Sequence, residues 1–431
     1  MGTLPVREMT TPAVGEAVTR QYLDYLELRV EFLLDRFRRF PDFPGVHAGY
    51  NSITGEEFGI DDLFPYSWIN GRGACVFARF AEYFPEHGDE LNAYAQHAIE
   101  ALETHERVNG GHFPFMANLD GTERRVGVSC PPGFKSYSDL YAAAGFVEFG
   151  ARRRDADRAR RGRRIFEETV AALDANRFVT EPDPTPPDRI LENPWSVALD
   201  LANECAKQID IGYLRHGAAL VAHLLGRYYL PEKGYYVEYI TPDGRVFEDE
   251  RGRRIIDPGH AIEFCGFSLE FARLAGGRAE FTALIRQIDQ VIPALLKWTV
   301  RAGWNERHPG IVKTIDAESR RPVNDTMPWW ILPETMLAVI LSYERTGDPE
   351  CLELYRDAHN AYFSSYMNPI TSYGPFQNLS GETGQPVDIV PACKFQDPEF
   401  HSGKNLLAVV EVARRLGLAQ PGAVSEPGRQ G

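Results

Sequence analysis

Apolar positions recur at three- and four-residue steps through most of the chain. In residues 16–40, Tyr22, Tyr25, Leu26, Val30, Leu33, Leu34 and Phe37 fall on one helical face, with Arg and Glu between them. Similar stripes cover 72–84, 89–105, 137–152, 157–176, 194–207, 213–229, 260–274, 280–300, 329–346, 348–361 and 401–416, which predicts twelve helices. Between alternate helices lie loops rich in Gly, Pro and aromatic residues, at 109–125 (NGGHFPFMANLDGTERR), 233–252 (KGYYVEYITPDGRVFEDERG) and 303–323 (GWNERHPGIVKTIDAESRRPV). An aromatic pair followed by Asp-Gly predicts a short β-hairpin in the first two, and the third has the same shape. Spacing from loop to loop varies, so the repeat is structural and not tandem.

Twelve helices as about six hairpins, without strand–helix–strand alternation, predict an all-α fold. The expected form is an (α/α)6 barrel, a toroid of six inner and six outer helices with short β-hairpin loops. Two separate helical bundles are the alternative. The one Pro-rich linker candidate, TEPDPTPPDR at 180–189, is short, so a single catalytic domain is expected over 1–418, with a disordered tail at 419–431.

Composition narrows the function. The chain has 431 residues, 43% hydrophobic and 25% charged, which suits a large globular core and argues against disorder or membrane spanning. A formal charge of −15 argues against nucleic acid or an anionic membrane as partner. Six dispersed cysteines without a C-x-x-C pair suit reduced thiols, and the first residues lack an apolar signal region, so a cytoplasmic location is expected.

Four segments share one layout, a polar or aromatic turn running into an apolar helix. They are SWINGRGACVFARF with Arg72, DPGHAIEFCGF with His260, PWWILPETMLAVI with Trp330 and Glu334, and DPEFHSGKNLLAVVEV with His401. If the inner helices of a toroid run parallel, their N-termini gather at one end, and these side chains converge on one pocket. The positive end of a helix favours a neutral imidazole, available as a proton acceptor. Glu263, one turn after His260, is placed to accept the ring's other N–H. Arg72 offers a fork of donors for a carbonyl or oxyanion. Two histidines with a guanidinium suit removal and return of a proton on carbon next to a carbonyl. Glu334, inside an apolar helix, needs a partner. His97, His216, His223 and His359 read as ordinary core or surface groups. His260-x-x-Glu263 supplies two metal ligands with no third placed by spacing, and no Walker loop, G-x-G-x-x-G, H-E-x-x-H or G-x-S-x-G motif is present, so neither metal nor cofactor is expected.

These motifs resemble those of the N-acylglucosamine 2-epimerase family: P-G-H-x-x-E as Pro258–Glu263, W-x-x-G-R as Trp68–Arg72, W-W-x-x-x-E as Trp329–Glu334, and a C-terminal histidine as Phe400-His401. They occur in the family's order from about residue 60 to 415. The stretch Asn193-Pro194-Trp195-Ser196-Val197 looks like the P-M-A-V segment of epimerases acting on N-acylated amino sugars, with Val197 where cellobiose epimerases carry a histidine. The resemblance implies an (α/α)6 barrel and a cofactor-independent sugar isomerase, with a homodimer as the expected assembly. It implies His260 and His401 as the acid/base pair at C2, Glu263 orienting His260, and Arg72 holding the C1–C2 oxygens. Trp68, Asn70, Trp195, Trp330, Glu334 and Lys404 are the expected substrate contacts. Departures from the family pattern are Asn70, Gly266, Leu332 and Lys404, so the reaction type is better supported than the sugar. An aldose–ketose isomerase of the same family, a glycoside hydrolase or lyase using Glu263 and Glu334, and a catalytically silent sugar-binding protein are the alternatives.

Overall fold

A computed structural model describes residues 12–47, 49–57, 64–389 and 392–418, so the expected tail at 419–431 lies outside the described residues. Each apolar stripe is an α-helix: α1 (Pro12–Arg39), α2 (Ser67–Tyr83), α3 (Gly88–Val108), α4 (Tyr137–Arg152), α5 (Ala156–Asp174), α6 (Asn193–Gln208), α7 (Leu214–Arg227), α8 (Pro258–Leu274), α9 (Thr282–Gly303), α10 (Ile331–Thr346), α11 (Glu350–Ala361) and α12 (Phe400–Arg415).

The even-numbered helices pack side by side into a ring that closes where α12 meets α2. Each of α3, α5, α7, α9 and α11 lies outside the inner helix before it, and α1 covers α12. This is the expected (α/α)6 toroid. Burial follows the two roles. Outer helix α9 hides one stripe, Ile288, Ile292, Leu295, Leu296, Thr299 and Val300. Inner helix α8 is buried almost all round, from Pro258 through Ala272.

Inner helices must approach closely to close a ring, and glycine permits it. A Cβ on Gly71 of α2 would lie 2.1 Å from the Tyr141 carbonyl oxygen of α4. Helix starts are defined by local chemistry: Asp257 caps α8, accepting from Gly259 N at 3.0 Å and His260 N at 3.4 Å, and Pro258 takes the first position, where no N–H is needed. At α4, Ser136 and Asp139 form a reciprocal capping box.

The loops carry strands of two or three residues. The third aromatic loop forms a hairpin, Thr314–Asp316 against Pro322–Asn324, with Ile255–Ile256 on its other edge. The second bridges Ile240 to Val246 across its Asp-Gly turn and also pairs outward, with Tyr239–Ile240 against Ile190–Leu191. The first bridges Ala117 to Glu123 across its Asp-Gly turn, and Met116 to Tyr66 outside the loop. No described helix is long and apolar enough to cross a membrane. The six cysteines are unpaired.

Replacement of Gly71 by Ala forces α2 from α4, with an expected loss of roughly 1–3 kcal/mol. The urea denaturation midpoint checks it: a wild-type value would show that the contact is not close.

Candidate active site

All six inner helices direct their N-terminal turns to one end of the ring, around a cavity of about 410 Å³. Arg72 of α2, Tyr141 of α4, Asn193 of α6, His260 of α8, Trp330 at the start of α10 and His401 of α12 stand on its wall. The helix predicted from residue 72 begins at Ser67, so Trp68 lies in its first turn and Arg72 in the second.

His260 is held from behind. Its Nδ1 lies 2.8 Å from Glu238 Oε1, in the loop between α7 and α8, and 3.6 Å from Asp257 Oδ2. Lys313 pairs with the other side of this group through Asp257. Burial favours the neutral ring, but Asp257 and then Glu238 outweigh it and raise the His260 pKa to about 9. The helix end was expected to keep this imidazole neutral; its capping aspartate reverses the effect. The two carboxylates also replace the expected orienting partner, Glu263. Glu263 makes its hydrogen bond to Asn193 Nδ2, at 3.3 Å.

His401 is held in the same way by Glu334, whose Oε1 lies 2.7 Å from Nδ1. Glu334, expected as a substrate contact, stands behind this ring and off the cavity wall. Both imidazoles pack on Trp330, with centroid distances of 5.8 Å to His260 and 5.4 Å to His401. Gly259 makes room for that indole, since a Cβ there would lie 2.4 Å from Trp330 Cη2. With each Nδ1 engaged, Nε2 is the nitrogen left for chemistry on each ring.

Arg72 donates from Nη2 to the Tyr141 hydroxyl at 2.7 Å, and its Nη1 lies 3.7 Å from Asp397 Oδ1. The guanidinium lies over the rings of Trp68, Tyr141 and Phe400, at 5.1, 4.2 and 5.1 Å. Its Nε has no hydrogen-bond partner. The fork is fixed by stacking, with a donor to spare.

Three expected contacts lie elsewhere. Asn70 faces away from the axis and accepts from Val46 N at 2.8 Å through Oδ1. Trp195 stacks on His223 at 4.9 Å and borders a separate proline-rich groove. Lys404 lies one turn below His401, where it pairs with Asp200 in a charged cluster with Arg79, Glu204 and Lys207. Of the residues missed, Glu238 is a lone acid between aromatics in KGYYVEYI, and Asp257 precedes Pro-Gly, a standard cap signal. Lys313 is a lone cation just ahead of the strand Thr314–Asp316, and Asn193 opens α6 ahead of a proline.

Among the described residues three clusters bring a histidine and two carboxylates within 4.8 Å of one another: the largely exposed Glu27–Glu86–His87, and two at the cavity, Glu192–Glu238–His260 and Glu263–Glu334–His401; the last two concern the site. In each of these two, Nδ1 stands 2.7–2.8 Å from a carboxylate oxygen, the separation of a hydrogen bond. Two ligands sharing a tetrahedral ion at about 2.0–2.2 Å stand roughly 3.3 Å apart. The two clusters at the cavity fit hydrogen-bonded acid/base pairs better than metal sites.

The family model described as N-acylglucosamine 2-epimerase (GlcNAc 2-epimerase) matches residues 64–396. The chain is 24% identical over 412 residues to N-acylglucosamine 2-epimerase of Rattus norvegicus, covering 89% of this chain and 91% of that one. Among solved structures, a D-mannose isomerase superposes with a TM-score of 0.69 at 12% identity, over 91% of this chain and 97% of its own. A sugar epimerase from a ruminal bacterium gives 0.68 at 14% identity, over 90% and 98%.

His260 holds its proton more tightly folded than unfolded. The resulting stabilisation is complete below about pH 6.5, the ordinary histidine value, and is lost as pH rises through about 9. Glu238→Gln removes one of the two carboxylates, and the His260 pKa read by NMR titration should fall by roughly 1 unit or more. An unchanged value would mean that Asp257 alone sets it.

Proposed function

The chain belongs to the N-acylglucosamine 2-epimerase family, and we propose that it inverts C2 of an open-chain N-acyl amino sugar or free aldose, with His260 and His401 as the two proton-transfer groups. Membership makes it a sugar epimerase or isomerase; the residue roles that follow are our reading. The observation that carries it is the pair of imidazoles against one indole on the cavity wall, each with Nδ1 bound to a carboxylate.

In the open-chain sugar the C2 proton lies next to the C1 carbonyl, so its removal puts negative charge on oxygen. With Nδ1–H donated to Glu334, His401 presents a lone pair on Nε2 to accept that proton. Arg72, held by Tyr141 and its aromatic neighbours, supplies charge to the developing oxyanion. His260, kept cationic by Asp257 and Glu238, returns a proton from Nε2 to the opposite face of C2. For the other epimer the two rings exchange roles. Positioned acid/base groups of this kind contribute typically 10²–10⁴-fold.

An aldose–ketose isomerase starts with the same proton removal and differs in returning it to C1. A glycoside hydrolase needs a carboxyl on each side of the scissile bond. Glu334 is off the cavity wall behind His401, and Glu263 lies on that same side, so this arrangement favours proton transfer.

Incubating the protein with N-acetylglucosamine, N-acetylmannosamine, D-glucose and D-mannose in deuterated water tests the reading. Deuterium should enter at C2 with the 2-epimer accumulating. Label at C1 with a ketose product would make the chain an isomerase, and absence of exchange with any of them would contradict the proposal for these sugars. Arg72→Lys, which replaces a stacked fork with a point charge, should lower kcat by about 10²-fold, measured as the initial rate of C2 exchange.

A further inference from the structure

Glu263 lacks the imidazole that its spacing from His260 promised. Its Oε2 accepts from Asn193 Nδ2, and Asn193 is oriented in turn by the Tyr137 hydroxyl, which donates to its Oδ1 at 2.8 Å. Glu263 is 7% exposed, and what it exposes is cavity wall. One of its carboxyl oxygens lies within 4.8 Å of both a Glu334 oxygen and a His401 ring nitrogen.

Two carboxyl groups this close, out of bulk water, do not both ionise. Glu334 has the claim to the charge, because His401 Nδ1–H is bonded to it at 2.7 Å. The charged and titratable groups around Glu263 are Glu334 of α10, His401 of α12, Glu192 just before α6, Arg72 of α2, Tyr137 and Tyr141 of α4, Lys313 of the loop after α9, and His260 of its own helix. Each cation among them faces another acid: Arg72 faces Asp397, Lys313 pairs with Asp257, and His260 lies between Glu238 and Asp257. Burial first, and then Glu334, hold the Glu263 carboxyl well above the usual carboxylate range.

We propose that Glu263 stands in the cavity as a neutral carboxylic acid and donates a hydrogen bond to the substrate oxygen that becomes anionic when C2 loses its proton. The inference rests on the 2-epimerase reading above. Asn193 holds Oε2 as the acceptor, which leaves Oε1 to carry the acid proton. That proton stays on Glu263 throughout, so His260 and His401 remain the groups that give and take at carbon. An ionised carboxylate in this place would repel the enolate, whereas the neutral acid joins Arg72 in stabilising it. Glu263 is thereby a catalytic residue, in a role different from the one its spacing implied.

Glutamine separates the two roles, because its amide oxygen can accept from Asn193 while its N–H₂ donates into the cavity. With N-acetylmannosamine as probe, the C2 exchange rate of Glu263→Gln should stay within about tenfold of the parent, and Glu263→Ala should lose about 10²–10³-fold. Circular dichroism and thermal melts establish that both variants fold. The infrared difference spectrum of parent minus Glu263→Gln, recorded without ligand at pH 7, should show the C=O stretch of a protonated carboxyl. Carboxylate bands in its place, or a glutamine variant as inactive as the alanine one, would overturn the proposal. A parent that exchanges C2 of none of the four sugars would sink the epimerase reading and the donor role with it, whereas the infrared band tests the protonation state alone.

Discussion

Each imidazole on the cavity wall commits its Nδ1 to a buried carboxylate, Glu238 for His260 and Glu334 for His401. That pair of hydrogen bonds is the constraint from which the site is built. It leaves a single nitrogen on each ring for chemistry and fixes the direction in which that nitrogen faces. It also sets charge: His260, next to two carboxylates, remains protonated to about pH 9. A pair of proton-transfer groups is useful only if one begins loaded and the other empty, and His260 is the one held loaded.

Buried carboxylates are costly without partners, so the toroid must supply them. It does so by gathering the N-termini of six parallel helices, from segments separated by most of the chain, around one cavity. Gly71 and Gly259 act at the points of closest approach, the first letting α2 meet α4 and the second seating Trp330 against α8. Deeper along the inner helices lies a second charged cluster, around Lys404 and Asp200.

The helices were legible because inner and outer ones alike keep the three-to-four-residue recurrence, and the ring follows from their number and loops. His260 and His401 were legible because each opens an apolar helix, a costly place for an ionisable group without a use. Their partners were harder. The H-x-x-E spacing makes Glu263 the obvious mate for His260, yet a step of three along a helix carries the side chain a turn deeper, toward Glu334 and His401. The true partner, Glu238, belongs to a loop paired against a different segment, a contact that no local pattern encodes. Asn70, Trp195 and Lys404 failed for one reason: periodicity reveals that a helix has a buried face, but for a helix buried all round it does not tell which residues face the axis.

The central claim is that the two imidazoles address opposite faces of one carbon. Stereospecific exchange tests it most directly, with His260→Asn and His401→Asn each incubated in deuterated water with either 2-epimer of the sugar that the parent converts. Each variant should label C2 of only one epimer, a different one in each case, and neither should interconvert them. Labelling of the same epimer by both variants, or inversion by either, would contradict the account.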